Sequence, residues 1–249
     1  MLTNSLKNMK LFLRLFVFTS LIWAQVELPK YNSKDQVIHH LGYSISYNEI
    51  HEQPNWVAYE LTSKEVAGPL KRKDRFRSDP NVKTESASLA DYKGSGYDRG
   101  HLAPAADMKW SKKAMSESFF MSNMSPQKPG FNRGIWKKLE SKIRKWAVDN
   151  GSIYIATGGV LNGKLQIIGP NQVSIPEYYY KVILDYSEPE LKGIGFILKN
   201  QKSSDPISKF AVTIDEVEEI TGIDFFHSLP DAIENEIELK YDMKKWRLN

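Results

Sequence analysis

No cysteine occurs anywhere in the 249 residues, so the fold can draw on neither a disulfide framework nor a thiolate metal site. A cysteine nucleophile is excluded with them. What remains to hold the chain together is a hydrophobic core, helped by any metal ion it binds. Apolar residues make up 41% and charged residues 26% of the sequence, ordinary globular usage with no collagen-like, disordered or repeat signature.

Residues 1–24 read differently from the rest. Lys7, Lys10 and Arg14 accompany an almost unbroken apolar run from Leu11 to Ala24, the layout of a secretory signal peptide. The run is shorter than the roughly 20 apolar residues of a membrane span. The expectation is a cleaved leader at 1–24 and one domain at 25–249, secreted or periplasmic, with no stable membrane association. Ile22 is not the small residue expected three places before a cut at Ala24, which leaves an uncleaved anchor as the lesser reading. Loss of the leader lowers the formal charge of +4 by three, to +1.

The distribution of charge says more than its sum. From Lys109 to Lys145 ten basic residues meet only Glu117 and Glu140, whereas from Asp215 to Asp242 ten acidic residues meet only Lys240. A polyanion would approach the first region and be repelled by the second. Two solvated helix faces would give the same pattern.

No Pro, Gly or Ser-rich linker divides residues 25–249, and the longest irregular stretch is 68–100. Strand-like segments rich in β-branched and aromatic residues recur at Trp56 to Thr62, Ser152 to Leu161, Tyr178 to Tyr186 and Gly193 to Leu198. A helix is predicted from Asn132 to Asp149, where Trp136, Leu139, Ile143, Trp146 and Ala147 recur at helical spacing and Asn132 is a candidate N-cap. Arg133, Lys137, Glu140 and Arg144 fall on a second, polar stripe of that helix. Thr213 with Glu216 signals a capping box ahead of a further helix that Gly222 would end. A last helix starts near Pro230.

One histidine stands in a chemically suggestive setting. Gly94-Ser95-Gly96 leads into Tyr97-Asp98-Arg99-Gly100-His101, so a turn delivers His101 at a strand end beside an arginine. Phosphodiester hydrolysis needs such a base, a cation and phosphate-positioning donors, although a lone histidine is more often structural. His39, His40, His51 and His227 fit no motif and show no zinc spacing. Tyr178-Tyr179-Tyr180 reads as strand core rather than a base-stacking platform.

Asp98-Arg99-Gly100-His101, followed by Met121 to Gln127, then Asn132 and Trp136 to Glu140, resembles the signature of the DNA/RNA non-specific endonucleases. Weaker similarities run from Tyr47-Asn48 and Trp56 to Glu60 through Thr157-Gly158 to Thr221 to Phe225. The resemblance implies an α+β, ββα-metal (His-Me finger) nuclease fold, with a central mainly antiparallel sheet flanked by helices. It implies cleavage of DNA and RNA with little sequence preference and 5′-phosphate ends. His101 would be the general base. Asn132 would bind Mg²⁺, or Mn²⁺ or another divalent ion, directly, and Glu140 would hold its waters. Arg72 matches a phosphate-clamping arginine, with Arg75 or Arg77 as alternative alignments. Arg99 and Arg144 would hold phosphate or orient the site. Asn123 is grouped with the substrate-contacting residues, chiefly to organise the site. Competing structural roles exist: helix capping for Asn132, an intrahelical pair with Arg144 or Lys137 for Glu140, an ion pair with Asp98 for Arg99, and a turn before Pro126 for Asn123. The sequence carries no signal for oligomeric state.

Overall fold

In the computed structural model, residues 25–188 and 190–248 are described, and the leader expected at 1–24 lies outside them. The strands are β1 Gln36–His39, β2 Ser44–Asn48, β3 Gln53–Thr62, β4 Asp98–His101, β5 Met124–Gln127, β6 Ser152–Gly159, β7 Gln166–Ile168, β8 Val173–Ile175, β9 Tyr178–Asp185, β10 Lys192–Lys199 and β11 Ala211–Val212. Seven of them form one antiparallel sheet in the order β1-β2-β3-β6-β9-β10-β11, while β4-β5 and β7-β8 are separate hairpins. The four strands expected from residue type are β3, β6, β9 and β10, all within this sheet.

The helices are α1 Ser63–Val66, α2 Leu89–Tyr92, α3 Lys112–Glu117, α4 Lys137–Asn150, α5 Ile214–Thr221 and α6 Asp231–Leu239. The sheet is covered on both faces, because alternate residues of a strand point to opposite sides. Leu139, Ile143, Trp146 and Ala147 of α4 pack on one face against Val57, Tyr59, Leu61, Ile155, Ile183 and Phe196. Ile214 and Val217 of α5, Ile237 of α6, and Phe225 and Phe226 from the segment between them pack on the other against Trp56, Ala58, Ala156, Val182 and Leu184. Each of the buried Val, Leu, Ile and Phe side chains contributes about 1.5 to 3 kcal/mol. No helix among the described residues is long and apolar enough to cross a membrane.

The predicted capping box closes α5: Thr213 accepts from the Glu216 amide, Glu216 reaches back to Thr213, and Gly222 ends the helix at φ +68°. Pro230 precedes α6 as expected. The helix predicted from Asn132 is corrected. Phe131–Trp136 forms a wider, kinked turn in which Gly134 leaves helical geometry (φ −104°, ψ −111°), and the regular helix starts at Lys137. Asn132 is therefore not its N-cap.

Strands β3 and β6 are neighbours, paired from Val57↔Thr157 to Thr62↔Ser152. The chain leaves the sheet at residue 63 and returns to the adjacent position at residue 151, and everything between is a single excursion that includes β4, β5 and α4.

Candidate active site

Within the excursion, β4 pairs with β5 so that Asp98 faces Gln127 and His101 faces Met124. A Cβ on Gly100 would come within 2.1 Å of Gln127 Cδ, so a side chain there would displace that buried glutamine. The hairpin lies beside the kinked turn and α4, and together they line an open cleft of about 560 Å³. Arg72, Arg99, His101, Asn132, Glu140 and Arg144 all open onto it, with Asp74, Phe76, Asp98, Arg133 and Lys137 beside them.

His101 is only 8% exposed, packed edge-on against Phe119 (centroids 5.0 Å apart) and near Phe76 (5.7 Å). Its Nε2 has no hydrogen-bond partner among the described residues. Burial holds the imidazole far below its ordinary value, at about 3, and Arg72 and Arg99 add to the effect against Asp74. The ring is thus neutral near pH 7, with a lone pair able to accept a proton.

Asn132 donates through Nδ2 to Asp98 Oδ2 at 2.9 Å, and Arg133 grips the same carboxylate with two bonds, at 2.9 and 2.6 Å. Burial opposes ionisation of Asp98, but the bonds from Arg133 and Asn132 hold its carboxyl below the usual range. The anchored amide leaves Asn132 Oδ1 as the uncommitted oxygen. Asp98 is thereby committed to Asn132 and Arg133, not to Arg99 as one reading had it; the Arg99 guanidinium instead lies 4.2 Å over the Phe76 ring.

Glu140 forms no ion pair among the described residues: Arg144 binds Asp107 instead, at 2.8 Å, and Asp107 also accepts from the Tyr59 hydroxyl at 2.9 Å. Burial raises the Glu140 carboxyl and the nearby Lys181 ammonium opposes that rise. Lys181 is itself buried in β9, bonded to Thr157 Oγ1 (3.1 Å) and the Leu102 carbonyl (3.3 Å). It lies 4.4 Å from the centroid of the Trp136 ring. An anchored amide oxygen and an unpaired carboxylate beside a cleft of arginines are the hard, oxygen donor set that Mg²⁺ or Mn²⁺ takes when phosphate supplies further ligands.

Arg72 reaches the cleft, held by Asp74 at 2.6 Å and lying 5.2 Å from the Phe119 centroid. The alternative Arg77 turns away to the Ser116 carbonyl (2.8 Å) and the Phe120 ring, and Arg75 does not line the cleft. Asn123 is corrected: it is fully buried, accepts from the Ala103 amide and donates to the Ala103 and Ser118 carbonyls, all at 2.9 Å. It cannot contact substrate, and it braces the chain just after His101. Sequence reasoning missed Asp98, Asp107 and Lys181 as site-building groups. The signal for Lys181 was a lysine at an inward position between Tyr179 and Ile183.

A profile of the DNA/RNA non-specific endonucleases matches residues 25–232. The chain belongs to that family. It is 33% identical over 202 residues to zebrafish (Danio rerio) mitochondrial nuclease EXOG, covering 74% of this chain and 59% of that protein. It is 33% identical over 199 residues to human mitochondrial endonuclease G, covering 74% of this chain and 67% of that protein. A crystal structure of an EndoG/EndoGI complex, described as showing the mechanism of EndoG inhibition, matches at a TM-score of 0.77 and 33% identity, over 83% of this chain and 91% of that one. The fold is thus the ββα-metal nuclease fold that the resemblance implied. The family is one of metal-dependent nucleases, so the chain is a phosphodiester hydrolase. The expected secreted or periplasmic location is overturned by these relatives, which are mitochondrial nucleases.

Proposed function

We propose that residues 25–249 act as one catalytic domain that hydrolyses DNA and RNA phosphodiesters with little sequence preference, leaving 5′-phosphate ends. The observation that carries this reading is the convergence of His101, Asn132, Glu140, Arg72, Arg99 and Arg144 on one cleft.

His101, kept neutral by burial, accepts the proton of the attacking water. Arg72 and Arg99 meet the phosphate, and the same two charges depress the basicity of His101. A phosphate bound between them offsets that depression, so the base strengthens when substrate is in place. Arg144, held by Asp107, adds positive charge and keeps the α4 side of the cleft in register. Mg²⁺, when bound through Asn132 and through waters held by Glu140, would stabilise the charge that develops on the phosphate oxygens. Asp98 fixes the Asn132 amide so that its oxygen, not its NH₂, is presented. Contacts to phosphate carry no base information, which accounts for weak sequence preference.

Incubation of the purified protein with supercoiled plasmid and with structured RNA, in Mg²⁺ and in EDTA, tests the reading. Cleavage of both, only with the metal and without a fixed cut site, is expected. Cleavage that survives EDTA, or a discrete set of cut sites on duplex DNA, would overturn it.

A further inference from the structure

We propose that Asp215, Glu218 and Glu238 form a Ca²⁺ site, on the face of the sheet opposite the cleft, that clamps α6 to α5. Asp215 and Glu218 stand three residues apart on α5 and so share one side of it. Glu238 is in the last turn of α6. One carboxylate oxygen from each lies within 4.8 Å of the other two. Ca²⁺ binds oxygen at about 2.3 to 2.6 Å, so two of its ligands can stand up to about 5 Å apart. Three oxygens spaced evenly around one Ca²⁺ at about 2.6 Å stand about 4.5 Å apart, so the cluster meets a Ca²⁺ shell with at most a small inward shift. Mg²⁺, with bonds of about 2.0 to 2.1 Å and near-ideal octahedral geometry, would draw the three oxygens closer together than Ca²⁺ does.

A second observation points to a missing positive group. Glu238 is 7% exposed, and its Oε1 is sealed from solvent with no hydrogen-bond partner among the described residues. Local cations are committed elsewhere: Lys30 pairs with Asp224 at 2.8 Å and Lys240 with Glu236 at 3.2 Å. A buried carboxylate among acids is strongly unfavourable unless a proton or a cation joins it. In keeping with this, burial pushes the Glu238 carboxyl up to about 9, with Glu218, Glu234, Asp215 and Asp224 adding to the rise. Asp215 is exposed and Glu218 half-buried, so the open side can admit the waters that complete a Ca²⁺ shell. Glu238, the buried member of the three, lies beyond residue 232, where the family match ends.

The test is calorimetric titration of the full chain with CaCl₂ in Mg²⁺-free buffer, paired with thermal unfolding. Asn132→Ala is the background, so that an ion in the cleft does not contribute. One Ca²⁺ should bind with a submillimolar Kd, and about a hundredfold excess over Kd should raise Tm by about 5 to 10 °C. Adding Glu238→Gln to that background should abolish the binding heat and the Tm shift. In the parent protein, Glu238→Gln alone should leave plasmid cleavage within about twofold. Asp215→Asn, at an exposed position, should weaken Ca²⁺ at least tenfold, and it decides the matter if Glu238→Gln does not fold. No Ca²⁺-dependent heat or Tm shift up to about 10 mM, or a parental Kd in either carboxylate variant, overturns the proposal.

Discussion

Glu140 on α4 and Glu238 on α6 are both carboxylates carried by helices that cover the sheet, one on each face, and their surroundings differ in sign. Lys181, Arg144 and Arg72 act on Glu140, with Asp107 as its acidic neighbour. Around Glu238 stand Glu218, Glu234, Asp215 and Asp224. On the first face the protein supplies its own counter-charges and leaves a surplus for an incoming phosphate. On the second, Lys30 is taken up by Asp224 and no cation among the described residues pairs with Glu238, so its compensating charge comes from solvent as a proton or an ion. The division of basic and acidic segments visible along the chain is therefore a division between two faces of one sheet.

The sharpest way to break this comparison is to remove the base that the basic face serves. His101→Ala should lower kcat by at least about 10² to 10⁴ while metal-dependent DNA binding persists; near-parental cleavage between pH 6 and 9 would take His101 out of the mechanism. The same side chain has a pH signature. Its folded value lies below its unfolded one, so the unfolded chain binds the extra proton. The stability it confers is complete above about pH 6.5 and lost as pH falls toward about 3. Acid unfolding followed by circular dichroism should be shallower over that window in His101→Asn.

Next in size is the buried cation itself. Lys181→Met keeps the volume but strips Glu140 of the lysine that opposes its burial, and should cost about 3 to 5 kcal/mol in denaturant unfolding. Pairing it with Glu140→Gln should recover part of that loss. A loss equal to the sum of the single variants would show that Lys181 does not act through Glu140.

Asn132→Ala and Glu140→Gln sharpen the division of labour at the metal. Asn132→Ala removes the one direct protein ligand proposed and should depress both Mg²⁺ affinity and rate. Glu140→Gln keeps an acceptor for the waters and should lose about 10 to 100-fold, chiefly when Mg²⁺ is scarce. Activity against Mg²⁺ concentration for the two variants would reverse the assignment if Asn132→Ala behaved like the parent and Glu140→Gln did not. The smallest effect is expected from Arg133→Ala. Its ion pair with Asp98 is largely exposed on the arginine side, and exposed pairs contribute little, so Tm should fall by no more than a few degrees.

The four strands foreseen from β-branched and aromatic runs are central ones whose composition reflects burial on both sides. Strands β1 and β2 escaped notice because Gln36–His39 and Ser44–Asn48 mix polar and apolar residues without a clean alternation. The helix start was misplaced by five residues because apolar spacing continues through Phe131–Trp136, while Gly134 takes dihedrals that spacing cannot reveal. His101, Asn132, Glu140 and Arg72, which the structure gathers on one cleft, could be singled out because they stand in the motifs that carry the family resemblance. Asp98 stood inside one of those motifs, but its task, orienting an amide 34 residues later, exists only once the hairpin meets the kinked turn. Lys181 was hidden for a related reason: its run of tyrosines and aliphatic residues looks like core, and it is core, with a charge buried in it.

Because Thr62 and Ser152 are paired neighbours, every group proposed for catalysis hangs on one loop that a single strand pairing closes. The entropy of that closure grows only with the logarithm of loop length, so the long excursion weighs little on equilibrium stability. Kinetically it weighs more, since pairing residues so far apart along the chain slows folding. Until β3 finds β6, α4 lacks the sheet face on which it packs and the two walls of the cleft have no common support. A chain in which the centre of the sheet has not closed therefore lacks an assembled cleft.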